Sequence, residues 1–99
     1  MIARHWRGIA RATAADAYIE HLRVETFPAL AQLPGFLNAS ILRRDVPLGV
    51  EFLIVSYWES LERISAFAGP DLEAAVVPAV VQGMMVEFDT RARHYEVSL

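Results

Sequence analysis

Hydrophobic positions along the chain switch between a two-residue and a helical period, and each switch marks an element. Residues 2–11 predict a first strand of mixed polarity. Thr13 then stands where an N-cap belongs, with Asp16 three residues on, and residues 14–26 carry a helical stripe of Ala15, Ile19 and Leu22. Phe27-Pro28 should kink or restart that helix, because proline brings no N–H and its ring crowds the preceding turn; Leu33-Pro34-Gly35 ends it. Residues 36–44 and 50–58 predict the two strands of a hairpin around Val46-Pro47-Leu48-Gly49. Ser60 caps a second helix with Glu62 in its first turn, and Ala68-Gly69-Pro70 breaks it. A further helical piece is expected from Asp71 to about Met85, bent at Pro78, and residues 90–98 predict the last strand.

The order βαββαβ is the ferredoxin-like pattern: an α+β domain spanning 1–99, with a four-stranded antiparallel sheet and helices on one face. The third strand is apolar on both sides. Val50, Phe52, Ile54 and Trp58 share one face, and Leu53, Val55 and Tyr57 the other. Helices can cover only one of them. The chain has 99 residues, 55% of them hydrophobic, and a mean hydropathy of +0.30, which is apolar for so small a domain. Both observations predict a second copy of the chain over the open face, that is, a homodimer.

Tyr57-Trp58-Glu59-Ser60, then Ile64, Phe67 and Ala68-Gly69-Pro70-Asp71, together with Leu33-Pro34-Gly35-Phe36 and the closing His94-Tyr95-Glu96-Val97, resemble the antibiotic biosynthesis monooxygenase family over nearly the whole chain. The resemblance implies a dimeric α/β barrel, two sheets meeting with the helices outside. It implies oxygenases that work without a cofactor on phenolic polyketides or quinols, beside a branch that degrades haem. That branch carries an aromatic residue on the second helix and a haem-ligating histidine ten residues later. Here Phe67 takes the first place and Val77 the second, and His5-Trp6-Arg7 stands where the branch has a first-strand asparagine. Cofactor-free members carry a strand tryptophan with an asparagine four residues before it. Trp58 matches the first, and Ile54 occupies the second. Cofactor-free oxygenation therefore ranks above haem degradation, and a non-catalytic dimeric binding or structural module of the same fold is the rival.

Composition narrows the chemistry further. No cysteine is present, so thiolates and disulfides are excluded; all nine basic residues are arginine, which excludes a Schiff base. A net charge of -3 argues against nucleic acid as a partner. The uncharged run 74–86 is too short to cross a bilayer and is interrupted by Pro78, Gln82 and Gly83. The start, MIARHWRGIAR, has no signal-type apolar stretch, so a cytoplasmic protein with no membrane partner is expected. Histidines at 5, 21 and 94 match no zinc spacing, and neither metal nor cofactor is expected.

Deprotonating a phenol or enol so that its carbanion reduces oxygen requires an apolar pocket, a base and donors for the developing anion. His21 and His94 are the candidate bases. His21 lies on the first helix beside Tyr18 and Glu25, a rim base or a surface pair; His94 lies on the last strand, a base or an ordinary cross-strand histidine. His5 fits the dimer face or a strand pair. Trp58, Phe67, Tyr18 and Trp6 are candidate walls for a flat aromatic or quinol-like ligand, or else core residues. Asn38, the one asparagine, either bonds a neighbouring strand or reaches the cavity. Arg4, Arg91 and Arg93 lie on neighbouring strands, to hold a carboxylate or to pair with Glu51, Glu87 or Glu96.

Overall fold

Strand β1 (Ile2–Ala10) is the axis of the sheet, and three of the other four strands hydrogen-bond to it. In this computed structural model, which describes residues 1–99, β1 runs antiparallel to β3 (Gly49–Trp58) along its whole length, from Ile2 opposite Trp58 to Ala10 opposite Val50. β2 (Phe36–Val46) lies outside β3 and completes the hairpin through Pro47 and Leu48. The other edge of β1 is shared. β4 (Met85–Phe88) pairs with Gly8–Ala10, and β5 (Arg93–Glu96) pairs with Ile2–His5. The sheet is thus four places wide, as the pattern predicts, with two short strands in the fourth place.

The split has a visible cause. The Asp89 N–H donates to the Arg7 carbonyl at 2.9 Å, and the Asp89 carbonyl accepts from Trp6 Nε1 at 2.8 Å. The chain then leaves β1 and pairs with an earlier segment: Ala74 lies opposite Arg91, Ala75 N–H donates to Thr90, and Ala92 N–H donates to Glu73. The expected helix over 71–85 accordingly shrinks to α4 (Ala79–Gln82). Residue 77 precedes a proline and is held out of the helical region, while β-branched Val76 and Val77 favour extended backbone. Met85 begins a strand rather than ending a helix.

The first helical stretch has three parts after a 3-10 turn at Ala12–Ala14: α1 (Ala15–His21), a π-type turn at Leu22–Thr26 and α2 (Phe27–Ala31). Thr13 does not cap it; the Ala14 N–H donates instead to the Arg11 carbonyl. The irregularity predicted at Phe27-Pro28 is the π turn, where the Phe27 N–H reaches back five residues to Leu22. Widening one turn makes room for a proline ring that would crowd a regular helix. α3 (Leu61–Ala68) buries Ile64 against Trp58 and Leu30, and Gly69 ends it with φ +83.

Alternation along β3 places Val50, Phe52, Ile54, Ser56 and Trp58 beneath the helices. Phe52, Trp58 and Ile64 are fully buried, each contributing ~1.5–3 kcal/mol or more by the area removed from water. The opposite face carries Leu53, Tyr57, Leu42 and Tyr95, the last two about half exposed. It also carries a charged strip in which Arg7 and Arg44 each hold Glu51 at 2.7 Å and keep its carboxyl below the usual range. No helix is long and apolar enough to cross a membrane.

Gly49 packs closely against the end of β1. Its φ is +155, and a Cβ there would strike the Ala10 carbonyl oxygen. A Cβ on Gly69 (φ +83) meets nothing. Gly69→Ala should therefore cost only backbone strain of about 1–3 kcal/mol, and Gly49→Ala more than about 3 kcal/mol. Urea unfolding measures both; equal losses would contradict the close approach at Gly49.

Candidate functional site

A half-open cavity of about 70 Å³ lies between the sheet and the helices. Its floor comes from alternate positions of the two central strands, Arg4 and Trp6 of β1 and Ile54 and Ser56 of β3. Tyr18, Leu22, Thr26 and Leu30 form one wall. They recur every four residues, a spacing that the π turn keeps on one face. Phe67 of α3 and Val76, Val77, Pro78 and Val81 close the remaining sides.

The aromatic residues are fixed by their neighbours. Trp6 lies 6.4 Å from Tyr18, whose ring meets Phe52 edge-on at 4.9 Å. Trp58 does not reach the cavity. It stacks behind Phe67 at 6.2 Å, meets Phe36 edge-on at 5.4 Å and donates from Nε1 to Ser56 Oγ at 2.9 Å. Burial alone raises the Tyr18 pKa, so this residue stays a neutral phenol with a proton to donate.

Arg4 is the unusual member. It is only 4% exposed, and its guanidinium donates to the carbonyls of Leu72 (2.5 Å) and Ala74 (2.8 Å). The Phe67 ring lies 5.5 Å from Cζ. Arg4 Nη1 is also 2.7 Å from Nε2 of His94, its partner across the β1–β5 ladder. A guanidinium only donates, so Nε2 accepts and the His94 proton sits on Nδ1. Burial, then the Arg4 charge, lower the His94 pKa against a smaller opposing pull from Glu73. The imidazole is therefore neutral at pH 7. Burial also lowers the Arg4 pKa, with Glu73 opposing, but a guanidinium remains charged.

Of the residues singled out in the sequence, Trp6, Tyr18 and Phe67 meet on the cavity wall, with Trp58 and His94 directly behind it. His21 ends α1, partly buried and off the wall. Asn38 is exposed on β2, where its Oδ1 accepts from the Ala39 N–H at 2.8 Å. Neither alternative for the three arginines holds: they do not gather, and Arg91 is held not by Glu51, Glu87 or Glu96 but in a two-pronged contact by Asp71 (2.5 and 3.0 Å), while Arg93 lies opposite His5, two positions along from Tyr95. The sequence reading named Arg4 only beside Arg91 and Arg93, as a carboxylate holder or an ion pair, and did not place it with Trp6 at the cavity. Its signal was the two-residue step to Trp6, which puts the pair on one face. A wider hollow of about 260 Å³ opens beside the β4–β5 split, lined by His5, Arg7, Arg93, Asp89 and Tyr95 among others. It is more polar, and its Arg7 is already paired with Glu51. No three His, Asp or Glu side chains are grouped to hold a metal.

The lowered His94 pKa has a stability consequence. Because the folded value lies below the ordinary 6.5, protonation favours the unfolded chain. The contribution of neutral His94 is complete above about pH 6.5 and is lost as pH falls below it toward the folded value. Between about pH 7 and 5.5, His94→Asn should lose less stability than the wild type. Urea midpoints at the two pH values measure this; identical losses would contradict the Arg4–His94 contact.

No family model matches the chain, and no curated protein matches its sequence. Solved structures do match over nearly all of it. A proposed antibiotic biosynthesis monooxygenase from Bacillus cereus is 17% identical with a TM-score of 0.66, covering 99% of this chain and 93% of its own. One from Deinococcus radiodurans is 23% identical with a TM-score of 0.68, covering 100% and 94%. A point mutant of MhuD with two manganese protoporphyrin IX bound per active site is 20% identical with a TM-score of 0.70, covering 100% and 96%. At these identities the likeness is one of fold, and the chain has the ferredoxin-like α+β fold of these three structures.

Proposed function

We propose that the chain is a small cofactor-independent monooxygenase acting on a flat, electron-rich phenol, quinol or polyketide enol. The observation that carries this reading is the aromatic cavity of Trp6, Tyr18 and Phe67 with the buried Arg4 cation on its floor. The fold shared with the two proposed monooxygenases supports it. In this reading the substrate loses a proton, and its carbanion passes one electron to oxygen. The radical pair joins as a peroxide, which expels water; a methylene carbon and one O2 become a carbonyl and one H2O. Arg4 faces the oxyanion, and Tyr18 adds an O–H donor. The proton leaves to solvent through the half-open side of the cavity, because the one unprotonated nitrogen of His94 accepts from Arg4 behind the wall and His21 stands off it; His94 holds the guanidinium in place. Trp6 and Phe67 hold the ring, with Trp58 fixing Phe67 from behind. A substrate of several rings needs several hundred Å³, more than the cavity of this structure offers.

Porphyrin fits these residues less well. No imidazole lines the cavity, Val77 stands on its wall, and Tyr18 is held as a phenol. The small volume favours one other reading, a non-catalytic binding module of the same fold. Oxygen uptake separates the two. With quinols and anthrones, a chelator and no added metal or flavin, the oxygenase consumes one O2 per substrate. Arg4→Met should lower kcat by roughly 10²–10³, and His94→Ala, which only frees the guanidinium, by less. No turnover across the panel overturns the oxygenase reading.

We also propose that the chain pairs with a second copy through the sheet face carrying Leu42, Leu53, Tyr57 and Tyr95, which the helices leave open. Sedimentation at micromolar concentration should give twice the chain mass of 11.1 kDa, and a Leu53→Arg variant should lower it; a stable single subunit for the wild type overturns this.

A further inference from the structure

The arginines are matched with carboxylates unevenly. Arg7, Arg23, Arg43, Arg44, Arg63 and Arg91 each have one within 4.0 Å, and all but the half-buried Arg7 are exposed. Arg11 and Arg93 have none but stand in water; Arg4, at 4% exposure, has none either. Its partners are two carbonyls, a neutral imidazole and an aromatic face. Glu73 acts on it only through space, and that carboxylate lies 3.8 Å from Arg91. The one buried arginine therefore has no carboxylate partner, and it lines a largely apolar, aromatic cavity. A buried charge is most costly where nothing neutralises it. An anion entering the cavity would meet a desolvated guanidinium with N–H groups still to donate, against walls that suit a ring.

We infer that this cavity binds small aromatic anions, carboxylates or phenolates, with the charged oxygen against Arg4 and the ring against Trp6 and Phe67. The inference names the substrate form for the oxygenase reading and rests on it for turnover, whereas the binding itself is independent of oxygen. A phenol that binds here ionises more readily: its O–H bond breaks heterolytically, the electron pair stays on oxygen, and the proton ends on the buffer. Arg4 supplies the charge that favours the ionised form, and Tyr18, a neutral donor on the same wall, adds a hydrogen bond. His94 fixes the guanidinium from behind and is a positioning residue for this step.

Tryptophan fluorescence, from Trp6 on the wall and Trp58 behind Phe67, reports binding of benzoate and of its neutral isostere benzamide. Benzoate should bind at least about tenfold tighter. With 4-nitrophenol below its free pKa, adding protein should bring up the yellow phenolate. Because Arg4 also ties down residues 72–74, these wild-type comparisons decide the matter even if Arg4→Met fails to fold. A folded Arg4→Met should lose the preference, and Arg4→Lys should keep part of it. Equal affinities, no binding of either isostere at millimolar concentration, absence of phenolate colour, or an unchanged preference in folded Arg4→Met would each overturn the inference. Anion preference without oxygen uptake removes the oxygenase reading alone; uptake without anion preference removes this inference alone.

Discussion

A guanidinium kept out of water joins three parts of the chain that are remote in sequence. Arg4 sits on the central strand, its nitrogens reach the carbonyls of Leu72 and Ala74, and His94 of the last strand closes the group. Those contacts hold residues 72–74 beside the sheet, where residues 73–75 pair with 90–92. That pairing draws the chain away from β1 between β4 and β5 and leaves Val76–Pro78 as a wall of the cavity. The split sheet and the hollow beneath the helices are two results of one arrangement. Few residues but arginine could hold it, since it needs several donors at fixed angles and a charge that burial does not remove.

The two tryptophans divide the work by burial. Trp58, fully buried, faces Phe67, Phe36 and Ser56 and never meets the cavity. Trp6 is only partly buried and meets it directly, its indole held by the Asp89 carbonyl. A rigid inner ring supporting an outer one gives the wall a fixed shape. Tyr18 is anchored in the same way by Phe52. The site is thus built from the core outward, and its polar groups are fixed before any ligand arrives.

The first three strands and the α3 helix were legible because their periods are clean: β1, β2 and β3 fall within two residues of where alternation puts them, and α3 runs from the residue after Ser60 to Ala68, whereas the last strand, expected over 90–98, forms only over Arg93–Glu96. Three of the four aromatic residues proposed as walls reach the cavity for the same reason, since alternation and helical spacing fix their faces. The stretch 71–88 was not legible. Its alanines, valines and methionines suit a helix or a strand equally, and its path is set by the Arg4 contacts and by pairing with residues 90–92, which local propensity does not encode. Asn38 misled because rarity is not a structural signal; a register shift after Phe36 leaves it on the outer edge, bonded to its own neighbour. Arg4 was named in the sequence as one of three arginines for a carboxylate, but nothing there told it from Arg91 and Arg93; its burial does.

The direct test of this account is the state of one side chain in solution. Magnetic resonance of isotope-labelled arginine nitrogens resolves guanidinium groups whose rotation is blocked and whose protons exchange slowly. The account predicts one such group that stays protected at neutral pH and high salt, when the exposed pairs of Arg23 and Arg91 are screened, and that vanishes in Arg4→Lys. Fast exchange at all nine guanidinium groups under those conditions would contradict it.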